Sequence, residues 1–233
     1  MEEVQGIILA GGFGTRLRTV VSDRPKPLAR VGKRPFLSFL LDQLVDAGIC
    51  EITLCTYHLA HLVEAEYGSN YRSATISYSV EPQPLGTAGA VRNALPVITM
   101  EKLLVMNGDS FCHYPVQEFV AAFQANRPDI QILTTRVDDI SRYGSVDVDE
   151  QGFVRGFCEK GSQSGEGIIN AGVYATTRKL IEAIPPDRPV SLEKEVFPSL
   201  VDRRMRVFTS KGPFIDIGTP ESYALAEAIL PRG

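Results

Sequence analysis

The stretch that decides the fold is Val4-Gln5-Gly6-Ile7-Ile8-Leu9-Ala10-Gly11-Gly12-Phe13-Gly14-Thr15-Arg16-Leu17-Arg18, with Pro25-Lys26-Pro27 close behind it. The apolar run from Gly6 to Ala10 is too short for a helix and reads as a buried strand. It empties into Gly11, Gly12 and Gly14, which let a backbone approach a polyphosphate closely and point amides at it. Arg16 and Lys26 can neutralise the charge of such a ligand. The loop is not a Walker A sequence, because no Gly-Lys-Ser/Thr follows, and it is not the G-x-G-x-x-G dinucleotide fingerprint. Glycines alone would serve a tight strand-to-helix turn equally well. It is the spacing of Arg16 and Lys26 that points to a phosphate cradle.

Outward from this loop, strand-like runs alternate with helix-period segments, the pattern of βαβ units. Pro35 stands at the predicted first helical position, and Phe36, Phe39, Leu40, Leu44 and Val45 share one face until Gly48 stops the helix. Glu51 to Thr56 is a second strand, followed by a helix closing at Gly68, and Ile76 to Val80 is a third strand. Leu103 to Asn107 is a continuous apolar run, as expected of a central strand buried on both faces. Val116 to Asn126 reads as a helix and Ile130 to Val137 as a strand. Ser145 to Phe157 breaks the alternation as an antiparallel excursion with Asp149 to Gly152 at its turn. The strand Ile168 to Ala175 precedes a helix ending near Pro185, and a further helix is predicted from Ser191. Pro213 to Ile217 and the cap Thr219-Pro220-Glu221 open the last helix. The expected fold class is α/β, a Rossmann-like, mixed but mostly parallel sheet flanked by helices, in a single domain over 1–233.

Composition narrows the partners. The chain has 233 residues, 44% of them hydrophobic, enough for a sizeable core, and a net charge of -4 with its basic residues scattered. That distribution argues against a nucleic-acid or membrane surface and for a small-molecule partner. No apolar run nears the roughly 20 residues needed to cross a bilayer, and no secretory signal is visible, so the expected location is the cytoplasm. Cys50, Cys55, Cys112 and Cys158 form no C-x-x-C pair and are expected as free thiols. Cys50, Cys55, His58 and His61 raise a zinc site, but the strand between the two cysteines would hold their side chains apart, so buried Cys and surface His is the reading preferred.

The loop resembles the signature of the sugar-phosphate nucleotidylyltransferases, and the resemblance continues in order along nearly the whole chain. It is carried further by Glu81-Pro82-Gln83-Pro84-Leu85-Gly86-Thr87-Ala88-Gly89, Asn107-Gly108-Asp109, Glu159-Lys160, Asn170-Ala171-Gly172 and Asp216-Ile217-Gly218-Thr219-Pro220. It implies the nucleotide-diphospho-sugar transferase fold, with the antiparallel excursion as a sugar-binding wall. Leu9, Ala10, Gly11, Gly12, Gly14, Thr15, Arg16, Glu81, Gly86, Thr87 and Asp109 would then bind the nucleotide. Gly144, Glu159, Lys160, Asn170 and Gly172 would bind the sugar phosphate, and Asp109 and Asp216 would hold Mg²⁺. An Asp just past a strand is by itself equally a turn or helix cap. Two such positions at the carboxyl edge of a sheet, where open α/β sheets bind ligands, favour the metal.

The resemblance implies joining a sugar 1-phosphate to a nucleoside triphosphate with release of pyrophosphate. The sugar phosphate is already substantially ionised at neutral pH, so positioning and charge neutralisation, by Arg16, Lys26 and the Mg²⁺ held on Asp109 and Asp216, carry the catalysis without a dedicated general base. Glu81 favours GTP, because a carboxylate accepts from both N1–H and the 2-amino group of guanine. The compact chain and the run Gly167 to Tyr174 resemble the D-glycero-α-D-manno-heptose 1-phosphate guanylyltransferases. Alternatives are mannose 1-phosphate with GTP, N-acetylmuramate 1-phosphate with UTP, a glycosyltransferase, or a catalytically silent sugar-nucleotide-binding protein. A homo-oligomer is compatible with the sequence.

Overall fold

Short β-branched runs flanked by glycine and proline become the centre of one large sheet. The computed structural model describes residues 3–12, 14, 16–17, 20–21, 23–158, 161, 164–186, 188–201 and 204–231. Strand β1 (Val4–Leu9) leads into a small ribbon of β2 (Arg30–Val31) and β3 (Arg34–Pro35), then α1 (Phe36–Asp46). There follow β4 (Glu51–Thr56), α2 (Ala60–Tyr67), β5 (Asn70–Tyr71), β6 (Ala74–Val80), α3 (Gly86–Asn93) and β7 (Lys102–Asn107). Beyond them lie β8 (Ser110–Cys112), α4 (Val116–Asn126), β9 (Ile130–Val137), β10 (Ser145–Val148) and β11 (Val154–Cys158). The chain closes with β12 (Gly167–Thr177), α5 (Arg178–Glu182), β13 (Met205–Ser210), β14 (Phe214–Asp216) and α6 (Pro220–Ile229).

The main path of the sheet runs β11-β10-β12-β7-β1-β4-β6-β5, with β9 against β12 and β13 against β9. Strands β7, β1, β4 and β6 are parallel, so their carboxyl ends share one edge. Successive side chains of β1 point to opposite faces: Ile8 packs with α1 and α4, and Ile7 packs with α3. On the first face Phe36, Leu37, Leu40, Leu41 and Leu44 are fully buried. Truncating any one of these leucines to Ala would cost about 2–5 kcal/mol.

Pro35 is the N-cap of α1 rather than its first residue, because its extended ψ of 145° still belongs to the incoming ribbon. Around Ser191 the expected helix is replaced by a single π turn, Leu192–Val196, followed by a tight turn, Phe197–Ser199. The last helix starts as its sequence predicts, with Thr219 accepting from the Ser222 amide at 3.3 Å.

Two features aim the later strands at the parallel edge. In β12 the pairing with β9 slips between Asn170 and Tyr174, at Gly172 with φ +77°. A Cβ there would sit 2.7 Å from Ser110 Oγ and 2.8 Å from Asn107 Nδ2, so only glycine lets β12 approach the end of β7 this closely. Separately, β14 pairs antiparallel with β8, setting Asp216 across from Ser110, and the Ile217 amide donates to the Asp109 carbonyl at 2.9 Å. Among the described residues no helix is long and apolar enough to cross a membrane.

Candidate active site

The loop after β1 starts from a fixed base. Ala10 donates to the Cys55 carbonyl at 2.8 Å and is buried, so it anchors the loop rather than walling a cleft. Gly108 donates to the Leu9 carbonyl at 2.9 Å, which holds the ends of β1 and β7 together. Gly14 lies at φ +58°, with Lys26 Cβ 3.1 Å from where its own Cβ would be. Beyond it, the Leu17 amide returns to the Gly14 carbonyl at 2.9 Å and the Leu17 side chain is buried, which turns the chain back on itself. Arg16 stands exposed on this turn, off the cleft wall.

Two clefts open along the carboxyl edge. One, of about 300 Å³, is lined by Leu9, Gly11, Gly12, Glu81, Gly86, Thr87, Asn107 and Asp109 among others. The other, of about 590 Å³, is lined by Asn107, Asp109, Gly144, Asn170, Gly172 and Asp216, together with Tyr143, Tyr174, Glu193 and Lys194. Asn107 and Asp109 belong to both, so the two clefts meet at the end of β7.

At that junction the buried Lys26 ammonium donates to Asp109 Oδ2 at 2.7 Å. Asp216 Oδ1 takes the amide of Gly218. A Cβ on Gly218 would lie 3.4 Å from Lys26 Nζ, which puts Lys26, Asp109 and the 216–218 turn in one cluster. Among the described residues, each carboxylate thus has one oxygen engaged and no hydrogen-bond partner on the other. Two hard carboxylate oxygens facing a cleft suit Mg²⁺, which takes one or two carboxylates and completes its octahedron with phosphate oxygens and water. Asn107 Oδ1 is also buried at this junction without a hydrogen-bond partner among the described residues.

Glu81 closes the smaller cleft from below. Its Oε2 accepts from the Leu85 amide at 2.9 Å, and a Cβ on Gly11 would come within 2.5 Å of its Oε1, so Gly11 makes room for the carboxylate. Burial pushes the Glu81 carboxyl above its usual range, while the Leu85 amide opposes the shift. Gly86, at φ +73°, packs against the Val190 carbonyl, where any side chain would collide. Thr87 ties the smaller cleft to the 191–198 segment: its hydroxyl accepts from the Leu192 amide and donates to Glu193 Oε2, both at 2.8 Å.

The larger cleft holds a hydroxyl network around Glu193. Ser191 Oγ donates to Oε2 at 2.9 Å and the Tyr174 hydroxyl donates to Oε1 at 3.4 Å. Asn170 donates from Nδ2 to the Tyr174 oxygen at 2.9 Å and accepts from the Gly172 amide at 2.8 Å. Burial, and then the neighbouring Glu193, push the Tyr174 hydroxyl well above its usual range, so it stays a donor. Gly144 lies where a Cβ would be 3.1 Å from the Cys158 carbonyl, keeping this wall close to β11.

Residues 5–232 match the family described as Nucleotidyl transferase. The chain belongs to that family, the sugar-phosphate nucleotidylyltransferases. A D-glycero-alpha-D-manno-heptose 1-phosphate guanylyltransferase of Aneurinibacillus thermoaerophilus is 33% identical over 228 residues, covering 97% of this chain and 98% of its own length. The mannose-1-phosphate guanylyltransferase of Mycobacterium tuberculosis is 34% identical over 235 residues, 99% of this chain, which spans 66% of the length of that relative. The crystal structure of HddC from Yersinia pseudotuberculosis complexed with GMP-PN superposes with a TM-score of 0.85 at 37% identity, covering 96% of this chain and 98% of that one. The Rossmann-like nucleotide-diphospho-sugar transferase fold is shared with this family.

Of the nucleotidylyltransferase residues expected from sequence, the structure gathers Leu9, Gly11, Gly12, Glu81, Gly86, Thr87, Asp109, Gly144, Asn170, Gly172 and Asp216 on the joined clefts. Thr15, Glu159 and Lys160 lie outside the described residues. Sequence reasoning missed Asn107, Tyr174, Ser191, Glu193 and Lys194 as cleft residues. Ser191-Leu192-Glu193-Lys194-Glu195 carries the signal of an ordinary capped helix start, so nothing local distinguished it. The cysteines are free: Cys50 is exposed, and Cys55 is buried, its thiol directed at the Ala90 carbonyl. Among the described residues no cluster of three or more His, Cys, Asp and Glu gathers around a metal position.

Proposed function

We propose that this nucleotidyl transferase joins D-glycero-α-D-manno-heptose 1-phosphate to GTP, with Mg²⁺, to give GDP-heptose and pyrophosphate. The observation that carries the reading is the junction of the two clefts at Asn107 and Asp109, with Lys26 on Asp109. A nucleotide in the smaller cleft and a sugar phosphate in the larger one would bring the attacking oxygen and the α-phosphorus together there.

In this reading Gly11 and Gly12 admit the triphosphate, and Glu81 accepts from the guanine N1–H and 2-amino group. Asp109 and Asp216 would hold Mg²⁺, which supplies charge neutralisation at the phosphates when bound. Lys26 is held by Asp109 at the junction and stabilises charge building on the departing pyrophosphate. Arg16, exposed just beyond the loop, joins it from the solvent side. Lys160 meets the sugar phosphate, and Glu159, Asn170 and Gly144 shape the sugar subsite. The phosphate nucleophile needs no base, so orientation and electrostatics supply the rate.

The heptose is favoured by two relatives that carry that name, each 33% identical and aligned over nearly all of both chains. Mannose 1-phosphate is the second substrate, because relatives named for it match at the same identity. Pyrophosphate release across GTP, UTP, dTTP and ATP, each with manno-heptose, mannose, glucose and N-acetylmuramate 1-phosphates, tests the reading. The highest kcat/KM is expected with GTP and the manno-heptose 1-phosphate. Turnover only with UTP or dTTP would overturn the guanylyl assignment, and silence in every combination would leave a binding protein.

A further inference from the structure

Among the described residues, the side chains of the larger cleft offer an anionic substrate little positive charge. Its described walls carry three carboxylates, Asp109, Asp216 and Glu193, and a single cation, Lys194. A phosphomonoester brings about 1.5 to 2 further negative charges at neutral pH. Lys26 is already committed to Asp109 at 2.7 Å.

Lys194 is free to answer that deficit because both neighbouring acids are engaged elsewhere. Glu193 accepts from the hydroxyls of Thr87, Ser191 and Tyr174. Glu195 pairs with Arg188 at 2.8 Å and accepts from the Ser191 amide at 3.0 Å. Among the described residues no carboxylate pairs with the Lys194 ammonium, and the side chain is exposed on the cleft wall. Its backbone, by contrast, is fixed. The Lys194 amide donates to Ser191 Oγ at 3.2 Å, and the π turn closes when the Val196 amide reaches the Ser191 carbonyl at 3.2 Å. A π turn fits one more residue into the turn than an α turn does, and such turns recur at functional sites. Here Glu193 turns into the hydroxyl network while the next residue lines the cleft.

We propose that Lys194 is a second phosphate-binding cation of the larger cleft, holding the phosphate of the sugar 1-phosphate from the 191–198 wall. The inference rests on the reading of this cleft as the sugar 1-phosphate subsite. Lys194 contributes a mobile ammonium on a rigid base, so it can follow the phosphate from its bound position to the bridging one as the new bond forms. Its charge also offsets Glu193, which would otherwise repel the substrate.

The test compares Lys194→Met, which keeps the length of the stem, with Lys194→Arg, which keeps the charge. Calorimetry on the folded enzyme reads binding of two probes independently of turnover: a heptose 1-phosphonate and the neutral methyl heptoside. Steady-state assays read KM for the sugar 1-phosphate and for GTP. Lys194→Met is expected to weaken the phosphonate, and to raise KM for the sugar 1-phosphate, by about tenfold or more. Methyl heptoside affinity and KM for GTP should stay unchanged, and Lys194→Arg should recover most of the loss. Equal loss on the charged and neutral probes, or no loss on either, would overturn the role of Lys194. Failure of the wild-type enzyme to bind the phosphonate would instead overturn the assignment of the cleft itself.

Discussion

The smaller and the larger cleft are built in different ways. The smaller cleft takes its walls from three compact stretches at the ends of neighbouring strands: the loop after β1, the segment from Glu81 to Ala90, and the end of β7. The larger one draws on six places, from Asn107 to Ser110, Tyr143 to Ser145, Phe157 and Cys158, Asn170 to Tyr174, Ser191 to Pro198, and Phe214 to Asp216. The parallel edge presents loops side by side, whereas the larger cleft exists only because antiparallel strands, a bulge and a π turn are folded over that edge. Local backbone chemistry governs the first cleft, and long-range packing governs the second.

The largest effect should come where the two clefts meet. Asp109→Asn or Lys26→Met is expected to lower kcat by on the order of 100- to 1,000-fold. Thermal stability should fall more in Asp109→Asn, which leaves the buried Lys26 ammonium unpaired, than in Lys26→Met, which leaves only the 42% exposed Asp109 side chain without its partner. Turnover near wild type in both variants would separate the junction from the chemistry.

Gly172→Ala attacks the larger cleft from β12. A Cβ at φ +77°, pressed on Ser110 Oγ and Asn107 Nδ2, should destabilise the fold by about 1–3 kcal/mol. It should also raise KM for the sugar phosphate more than KM for GTP, because Gly172 lines the larger cleft only while the Asn107 it would press on lines both. Differential scanning calorimetry and separate KM measurements check the two parts, and an unshifted melting temperature would contradict the strain.

The smallest effect belongs to Glu81 in the smaller cleft. Burial raises its carboxyl above its usual range, so on acidification the folded state takes up this proton at a higher pH than the unfolded chain does. By linkage, the stability contribution of Glu81 is fully present below its unfolded pKa and is lost as pH rises through its folded one. Glu81→Gln should therefore raise the melting temperature at neutral pH, a gain that vanishes in acid. KM for GTP should rise in the wild type as pH falls through the raised value, because the protonated carboxyl loses an acceptor. In Glu81→Gln this dependence should disappear. A pH-independent difference in stability would argue against the buried charge as its cause.

Legibility followed the same division. The helix Val116–Asn126 and the strand Ile130–Val137 fall on the residues the periodicity assigned them, because each carries its own pattern and stop signals. Strands β8 and β13 were not read. The first is three residues long, and the second, Met205 to Ser210, is strand-like chiefly through its pairing with β9. Within the site, Gly11, Gly12, Lys26, Glu81 and Asp109 are legible beside strands whose direction the pattern fixes. Tyr174 looks like an ordinary strand aromatic, and Glu193 like a helix-start acid, until Thr87 and Ser191 are brought beside them.

The sequence by itself determined the βαβ alternation, the phosphate loop and the acidic positions at strand ends, because hydrophobic period and glycine chemistry act over a few residues. Only the tertiary structure decided that the two clefts share Asn107 and Asp109, that Asp216 returns beside Lys26, and that Lys194 is left without an acidic partner among the described residues. Those outcomes depend on β14 crossing to β8 and on the bulge in β12. Contacts between such distant segments are set by burial and register, which no local window of sequence contains.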